Sequence, residues 1–236
     1  MENFTTTFGN SAADAAPVER AAFIRKTYLL LAAAILGFVA IEAFLFMSGA
    51  ASMILKVVSA GGSIGWLAVL GGFMGISYIA NRWAVSDSSS GMQLLGLLLY
   101  VVGEAVIFVP MIAIAVYYTG DATVLVKSGI VTLGLFLGLS LTVLITRTDF
   151  SFLAPVLAIG GFVALGFIVS SLIFGFSIGS IFSFVMVAFA GTAILYQTSQ
   201  VLHQYNTKQH VAAALALFAG IALLFWYILN IFSSRR

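Results

Sequence analysis

The chain has 236 residues, of which 62% are hydrophobic and 8% are charged, and its formal net charge is +2. Charged residues make up about a quarter of an ordinary globular domain, so this composition excludes a water-soluble domain and predicts an all-α membrane protein. The small net charge gives no indication of a nucleic-acid partner, and the absence of cysteine excludes disulfides and thiolate metal sites.

The predicted elements begin with a cytoplasmic N-terminal tail, residues 1–26, whose first part is too polar for a signal peptide. A bilayer-spanning helix needs roughly 20 mostly apolar residues. Seven such segments follow in chain order, at 28–47, 61–81, 92–118, 123–145, 152–174, 176–198 and 210–231. The sequence therefore predicts a seven-helix transmembrane domain over 27–232 and a short C-terminal tail at 233–236.

The orientation of the bundle is predicted from its basic residues, which concentrate on the cytoplasmic side of membrane proteins. An N-terminus in the cytoplasm places six of them inside and four outside. The inside set is Arg20, Arg25, Lys26, Arg82, Arg147 and Lys208, and the outside set is Lys56, Lys127, Arg235 and Arg236. Seven spans then leave the C-terminus outside. If the segments on either side of Gly175 formed one re-entrant element, six spans would return it to the cytoplasm.

Two carboxylates fall within predicted spans, where charged groups are costly and typical of functional sites. Glu104 lies near the middle of the third span, and Tyr100, four residues earlier, shares its helix face. We interpret Glu104 as part of a polar site facing the bundle interior, with a structural hydrogen bond as the alternative. Glu42 lies only about 8 Å from the end of the first span, so reaching the membrane interface is an equally good interpretation.

The enzyme motifs that can be matched in this sequence are not specific. The string at 175–179 matches the G-x-S-x-G nucleophile elbow, but it joins two predicted helices and lacks the strand, His and acid that the motif requires. His203 and His210 have no acidic or Cys neighbours that would complete a metal site. We therefore predict no enzymatic activity, no catalytic residue, no cofactor and no metal site.

Four pairs of glycines spaced by four residues predict close helix packing: Gly61 and Gly65, Gly71 and Gly75, Gly134 and Gly138, and Gly175 and Gly179.

Four strings carry a family resemblance: RKTY at 25–28, ITRTDFSFL at 145–153, ILYQTS at 194–199 and ALF at 216–218. They resemble the Bax inhibitor-1 family, and within it the YccA-like bacterial branch. The resemblance implies a seven-helix fold with a central last helix, no enzymatic activity and a place in the bacterial inner membrane. It also implies links to calcium leak, to stress protection and to modulation of a membrane-anchored ATP-dependent protease.

The resemblance also implies a latch, in which an Arg near the end of the second helix holds two Asp residues. By motif position the Arg is Arg82, and the two Asp positions are Gln197 and Gly220. Neither Asp position is therefore acidic here. Arg82 is then expected to hydrogen-bond the amide oxygen of Gln197, which cannot titrate. We therefore predict a regulatory or stress-related factor acting on another membrane protein. The alternative is a calcium or proton leak channel with altered pH gating, using the charges of Glu104 and Glu42.

Overall fold

The computed structural model describes residues 12–86, 89–176 and 179–234. Within these ranges the chain forms α-helices and one short 3-10 turn, Ser151–Leu153, and no strand. The helices are α1 (Pro17–Met47), α2 (Ala50–Ala60), α3 (Gly62–Val85), α4 (Ser90–Thr119), α5 (Thr123–Thr146), α6 (Ala154–Phe174), α7 (Ser180–His203) and α8 (His210–Ser233). All but α2 are long and apolar enough to cross a membrane. The predicted polytopic helical fold with seven spans is confirmed.

The last helix, α8, lies at the centre of the bundle, as predicted. It contacts α1, α3, α4, α5 and α7 and is buried along most of its length. Its first turns carry Ala212, Ala213 and Ala214, which are all buried, and small side chains of this kind let neighbouring helix backbones approach closely in a membrane. By contrast, α3 and α6 expose most of their surface, so lipid covers them.

The N-terminal part of the chain differs from the predicted tail. Helix α1 begins at Pro17, ten residues before the predicted domain boundary, with proline at a position that favours helix initiation. Just before it, Ala12 is fully buried and donates its backbone N–H to the carbonyl of Tyr205 at 2.8 Å. Arg20 donates its Nε–H to the carbonyl of Ala12 at 2.8 Å. Ala12 is thus held to the α7–α8 loop and to the start of α1; residues 1–11 lie outside the described residues.

The break near Gly175 separates two complete helices. Gly175 has a φ of +71° and ends α6 by donating its N–H to the carbonyl of Ser171 at 2.9 Å. The left-handed conformation is the reason that glycine suits this position. Since α6 has 21 residues and α7 has 24, each is long enough to span a bilayer. The structure therefore favours seven spans over the six-span alternative. The G-x-S-x-G string falls between these two helices, and its residues 177–178 lie outside the described residues, as do 235–236 of the predicted C-terminal tail.

Candidate functional site

Gln197 of α7 and Gly220 of α8 face each other in the interior of the bundle. A Cβ atom added at Gly220 would overlap the amide oxygen Oε1 of Gln197 and lie 3.2 Å from Cγ1 of Ile194. The Gln197 side chain thus occupies space that the glycine leaves open. Its Oε1 is buried and accepts no hydrogen bond from the residues that the structure describes. The structure thus brings together the two positions where the resemblance expects an Asp pair, with an uncharged amide and no side chain in place of two carboxylates.

Arg82 does not join this pair. Its side chain is exposed near the end of α3, and the expected hydrogen bond to Gln197 is not formed, since no donor among the described residues reaches Gln197 Oε1. The reason lies in the rotation of α3. Ala80 and Ala84 are fully buried, and α3 packs mainly against α4. Residues two positions from a buried helix face point to the opposite side, so Arg82 faces outward.

Thr198, the residue after Gln197, belongs to a group of buried hydroxyls. Ser140 of α5 and Thr198 of α7 share a hydrogen bond, with their oxygens 3.2 Å apart. The buried hydroxyl of Tyr28 of α1 lies beside them. The group formed by Tyr28, Ser140 and Thr198 therefore contains no carboxylate whose protonation would switch it.

Glu104 and Tyr100 lie together on the interior face of α4. Each is only 6% exposed, and the Tyr100 hydroxyl interacts directly with the Glu104 carboxyl group. The Tyr100 ring packs edge-on against Phe218 of the central helix, with ring centroids 6.1 Å apart, and its centroid lies 5.7 Å from that of Phe73. Glu104 thus faces the bundle interior rather than lipid. Its polar contact is Tyr100, four residues earlier in the same helix.

Glu42 does not reach the membrane interface. It is 6% exposed, and both carboxylate oxygens are buried without a hydrogen-bond donor in the part of the chain that the structure describes. The side chain lines a cavity of about 870 Å³ between α1, α4, α5 and α8. The structure therefore separates the predicted site residues into four places: the Gln197 and Gly220 pair, the Tyr100 and Glu104 pair, the cavity that contains Glu42, and the exposed side of α3 that carries Arg82.

Comparison with known proteins decides the family. A family model described as "Inhibitor of apoptosis-promoting Bax1" matches residues 20–236. The chain belongs to the Bax inhibitor-1 family. An uncharacterized protein of Pseudomonas aeruginosa is 31% identical over 169 residues, which cover 70% of this chain and 72% of the relative. Uncharacterized proteins from two Neisseria meningitidis strains are each 28% identical over 222 residues, 92% of either chain. No solved structure matches the chain.

In this Bax inhibitor-1 family member, two of the strings that carried the resemblance are in contact. Ser199 of α7 donates its hydroxyl to Asp149 Oδ1 at 3.2 Å and accepts the backbone N–H of Phe150 at 2.9 Å. Ser151 donates its N–H and its hydroxyl to the same carboxylate oxygen, at 2.9 and 2.6 Å. The α5–α6 loop is thereby fixed to α7. Sequence reasoning quoted both strings but assigned Asp149 and Ser199 no role.

The Asp149 network gives a pH-dependent prediction. The Ser151 hydroxyl, and after it the Ser151 N–H, hold the pKa of the exposed Asp149 carboxyl below its usual value. A lowered pKa in the folded state stabilises the fold above the ordinary Asp pKa of about 3.9, and this contribution is lost as pH falls through the folded value. Asp149→Asn is therefore expected to lower Tm slightly at pH 7, and the difference from wild type should shrink towards pH 3.

A thermal-shift assay in detergent between pH 7 and pH 3 measures this difference. Glu19→Gln removes another exposed carboxylate, on the first turn of α1, and serves as the matched control. A Tm difference for Asp149→Asn that stays constant across the pH range would show that the carboxylate charge does not stabilise the loop.

Proposed function

We propose that this protein is a non-enzymatic regulatory factor of the membrane that acts on another membrane protein, with a membrane-anchored ATP-dependent protease as the partner class. The observation that carries the proposal is the pair of Gln197 and Gly220 at the centre of the bundle. A pH-gated pathway for cations needs ionisable groups where it is gated. This pair provides an amide and no side chain, and a Cβ at Gly220 would displace the Gln197 amide from its present position.

Reconstitution tests this proposal directly. The protein is placed in liposomes together with a membrane-anchored ATP-dependent protease and a membrane substrate of that protease. We expect degradation to slow as the ratio of this protein to the protease rises, because the proposed activity is exerted by contact within the bilayer. An unrelated seven-helix membrane protein at the same ratio is the control. An unchanged degradation rate, with no cross-link between the two proteins, would contradict the proposal.

A calcium or proton leak is the second candidate function. Glu104 favours it, because an intramembrane carboxylate that faces the bundle interior is typical of ion pathways, and Glu42 adds a second carboxylate. Calcium flux into liposomes at pH 5 and pH 8 distinguishes the candidates. The regulatory proposal expects either no flux or a flux that changes little with pH. A strongly acid-dependent flux that Glu104→Gln abolishes would establish the leak instead.

We further propose that the N-terminus lies in the cytoplasm of a bacterium and the bundle in its inner membrane. The excess of basic residues on that side supports this orientation. A phosphatase reporter that is active only outside the cytoplasm should be active when fused after Asp121 or Arg236 and inactive when fused after Thr148. The opposite pattern at all three positions would mean that the bundle is inverted.

A further inference from the structure

The cavity that contains Glu42 has the size of a small-molecule site. Its volume is about 870 Å³, within the range of roughly 300 to 1,000 Å³ that is usual for ligand pockets. It lies in the half of the bundle that contains the C-terminal ends of α1 and α4, and its walls also include α5 and α8. Nearly all of the lining is aliphatic or aromatic. Glu42 is the one charged residue among the side chains that line it.

The carboxylate of Glu42 is unused by the protein itself. Both oxygens are buried, and no donor in the described part of the chain reaches either of them. Thr132 of α5 is also in the cavity wall, but its hydroxyl donates to the carbonyl of Ser128 in its own helix at 2.7 Å. A buried carboxylate without a donor is costly. A ligand that brings a positive charge and N–H donors would relieve that cost.

The cavity opens sideways, towards the lipid. At one end α1 and α5 are joined by the rings of Tyr28 and Phe136, whose centroids are 6.4 Å apart. Further along, three lining residues are more than half exposed at the bundle surface: Val39 at 56%, Val126 at 62% and Tyr117 at 82%. A ligand can reach this opening from the apolar surface of the bundle, so an apolar body suits it.

We propose that this cavity binds a lipophilic ammonium compound, an apolar body of drug size whose protonated amine donates hydrogen bonds to the Glu42 carboxylate. Calcium is a poor fit because it takes six to eight oxygen ligands, whereas Glu42 is the one carboxylate in the wall. A lipid acyl chain alone would leave the carboxylate without a donor. A zwitterionic phospholipid would bring its phosphate beside Glu42, where the two negative charges repel. The apolar walls hold the body of the amine, and the carboxylate selects its charge.

The test compares a charged ligand with an uncharged ligand of the same shape. Radiolabelled desipramine, a tricyclic secondary amine, is bound to the protein in phosphatidylcholine nanodiscs, and N-acetyldesipramine is the neutral counterpart. We expect saturable desipramine binding, with N-acetyldesipramine competing about tenfold more weakly or worse, since it lacks the charge-assisted hydrogen bond. Glu42→Gln keeps the side-chain shape but removes the charge, and it should reduce the preference for the amine to near unity.

A second variant tests the cavity without changing Glu42. Gly129 of α5 lines the cavity, and a Cβ added there would meet nothing within 4 Å, so Gly129→Leu fills part of the space. Gly134 on the same helix also has open space, but it does not line the cavity, so Gly134→Leu is the matched control. We expect Gly129→Leu to lose desipramine binding and Gly134→Leu to retain it. Equal binding of both ligands to the wild type, or wild-type binding by Gly129→Leu, would overturn the proposal.

Discussion

Gly96→Ala is expected to destabilise the protein by about 2 to 3 kcal/mol, although alanine is the better helix former. A Cβ at Gly96 of α4 would lie 2.6 Å from the carbonyl oxygen of Ala80 and 2.9 Å from the backbone nitrogen of Ala84, both in α3. These neighbours are backbone atoms, so no rotamer change makes room. The two helices must instead move apart along a contact that also includes Gly103, whose Cβ would lie 3.0 Å from Cγ2 of Ile76.

The matched control for this prediction is Gly134→Ala in α5. A Cβ there meets nothing within 4 Å, so replacing glycine in a helix should be neutral or stabilising by up to about 1 kcal/mol. The Tm of both variants is measured in detergent, together with the monodispersity of the purified protein. Opposite signs of the two Tm shifts are expected. A shift of the same sign and size in both would mean that α3 and α4 do not approach as closely at Gly96 as the structure has them.

These two glycines show where sequence reasoning about helix packing succeeds and where it stops. The number and approximate position of the spans follow from hydropathy, because a bilayer demands about 20 apolar residues per helix. The helix contacts do not follow from glycine spacing. Gly134 and Gly138 form one of the predicted packing pairs, yet both face open space, whereas Gly96 belongs to none of the pairs and lies against the backbone of α3. Every span is apolar on all sides, so no polar face marks which side packs.

The same limit applies to the candidate site. The positions of Gln197 and Gly220 could be matched by resemblance, and the structure places them side by side. The Arg82 contact depended on the rotation of α3, which the sequence left open. Glu42 was placed correctly within its span. The cavity beside it depends on the spacing of four helices, so the sequence of no single helix indicates it. The short helix α2, with 11 residues, is below spanning length and was therefore missed.

The double variant Gln197→Asp with Gly220→Asp is expected to give the protein an acid-sensitive stability and calcium flux that the wild type lacks. Gly220→Asp alone should be destabilising, since its Cβ overlaps Gln197 Oε1 and lies 3.2 Å from Ile194 Cγ1. Gln197→Asp shortens the opposing side chain by one methylene group and removes the first of these overlaps. The two substitutions should therefore be non-additive, as expected for residues in direct contact, with the double variant more stable at pH 5 than Gly220→Asp alone.

The pH dependence of the double variant follows from its charges. Two carboxylates in contact within a low-dielectric interior titrate as a coupled pair. When both are ionised they repel each other by about 4 kcal/mol at roughly 4 Å and an effective dielectric constant of about 20. Protonation of one relieves this repulsion, so Tm should rise as pH falls from 8 to 5 without calcium. At pH 8, calcium should bind between the carboxylates and raise Tm.

The Asn double variant at the same two positions, Gln197→Asn with Gly220→Asn, has nearly the same shape without charge, and it should show neither response. If it showed both responses, packing and not carboxylate charge would govern this position. The presence of Gln197 and Gly220 in place of an Asp pair would then no longer support a regulatory role over a leak.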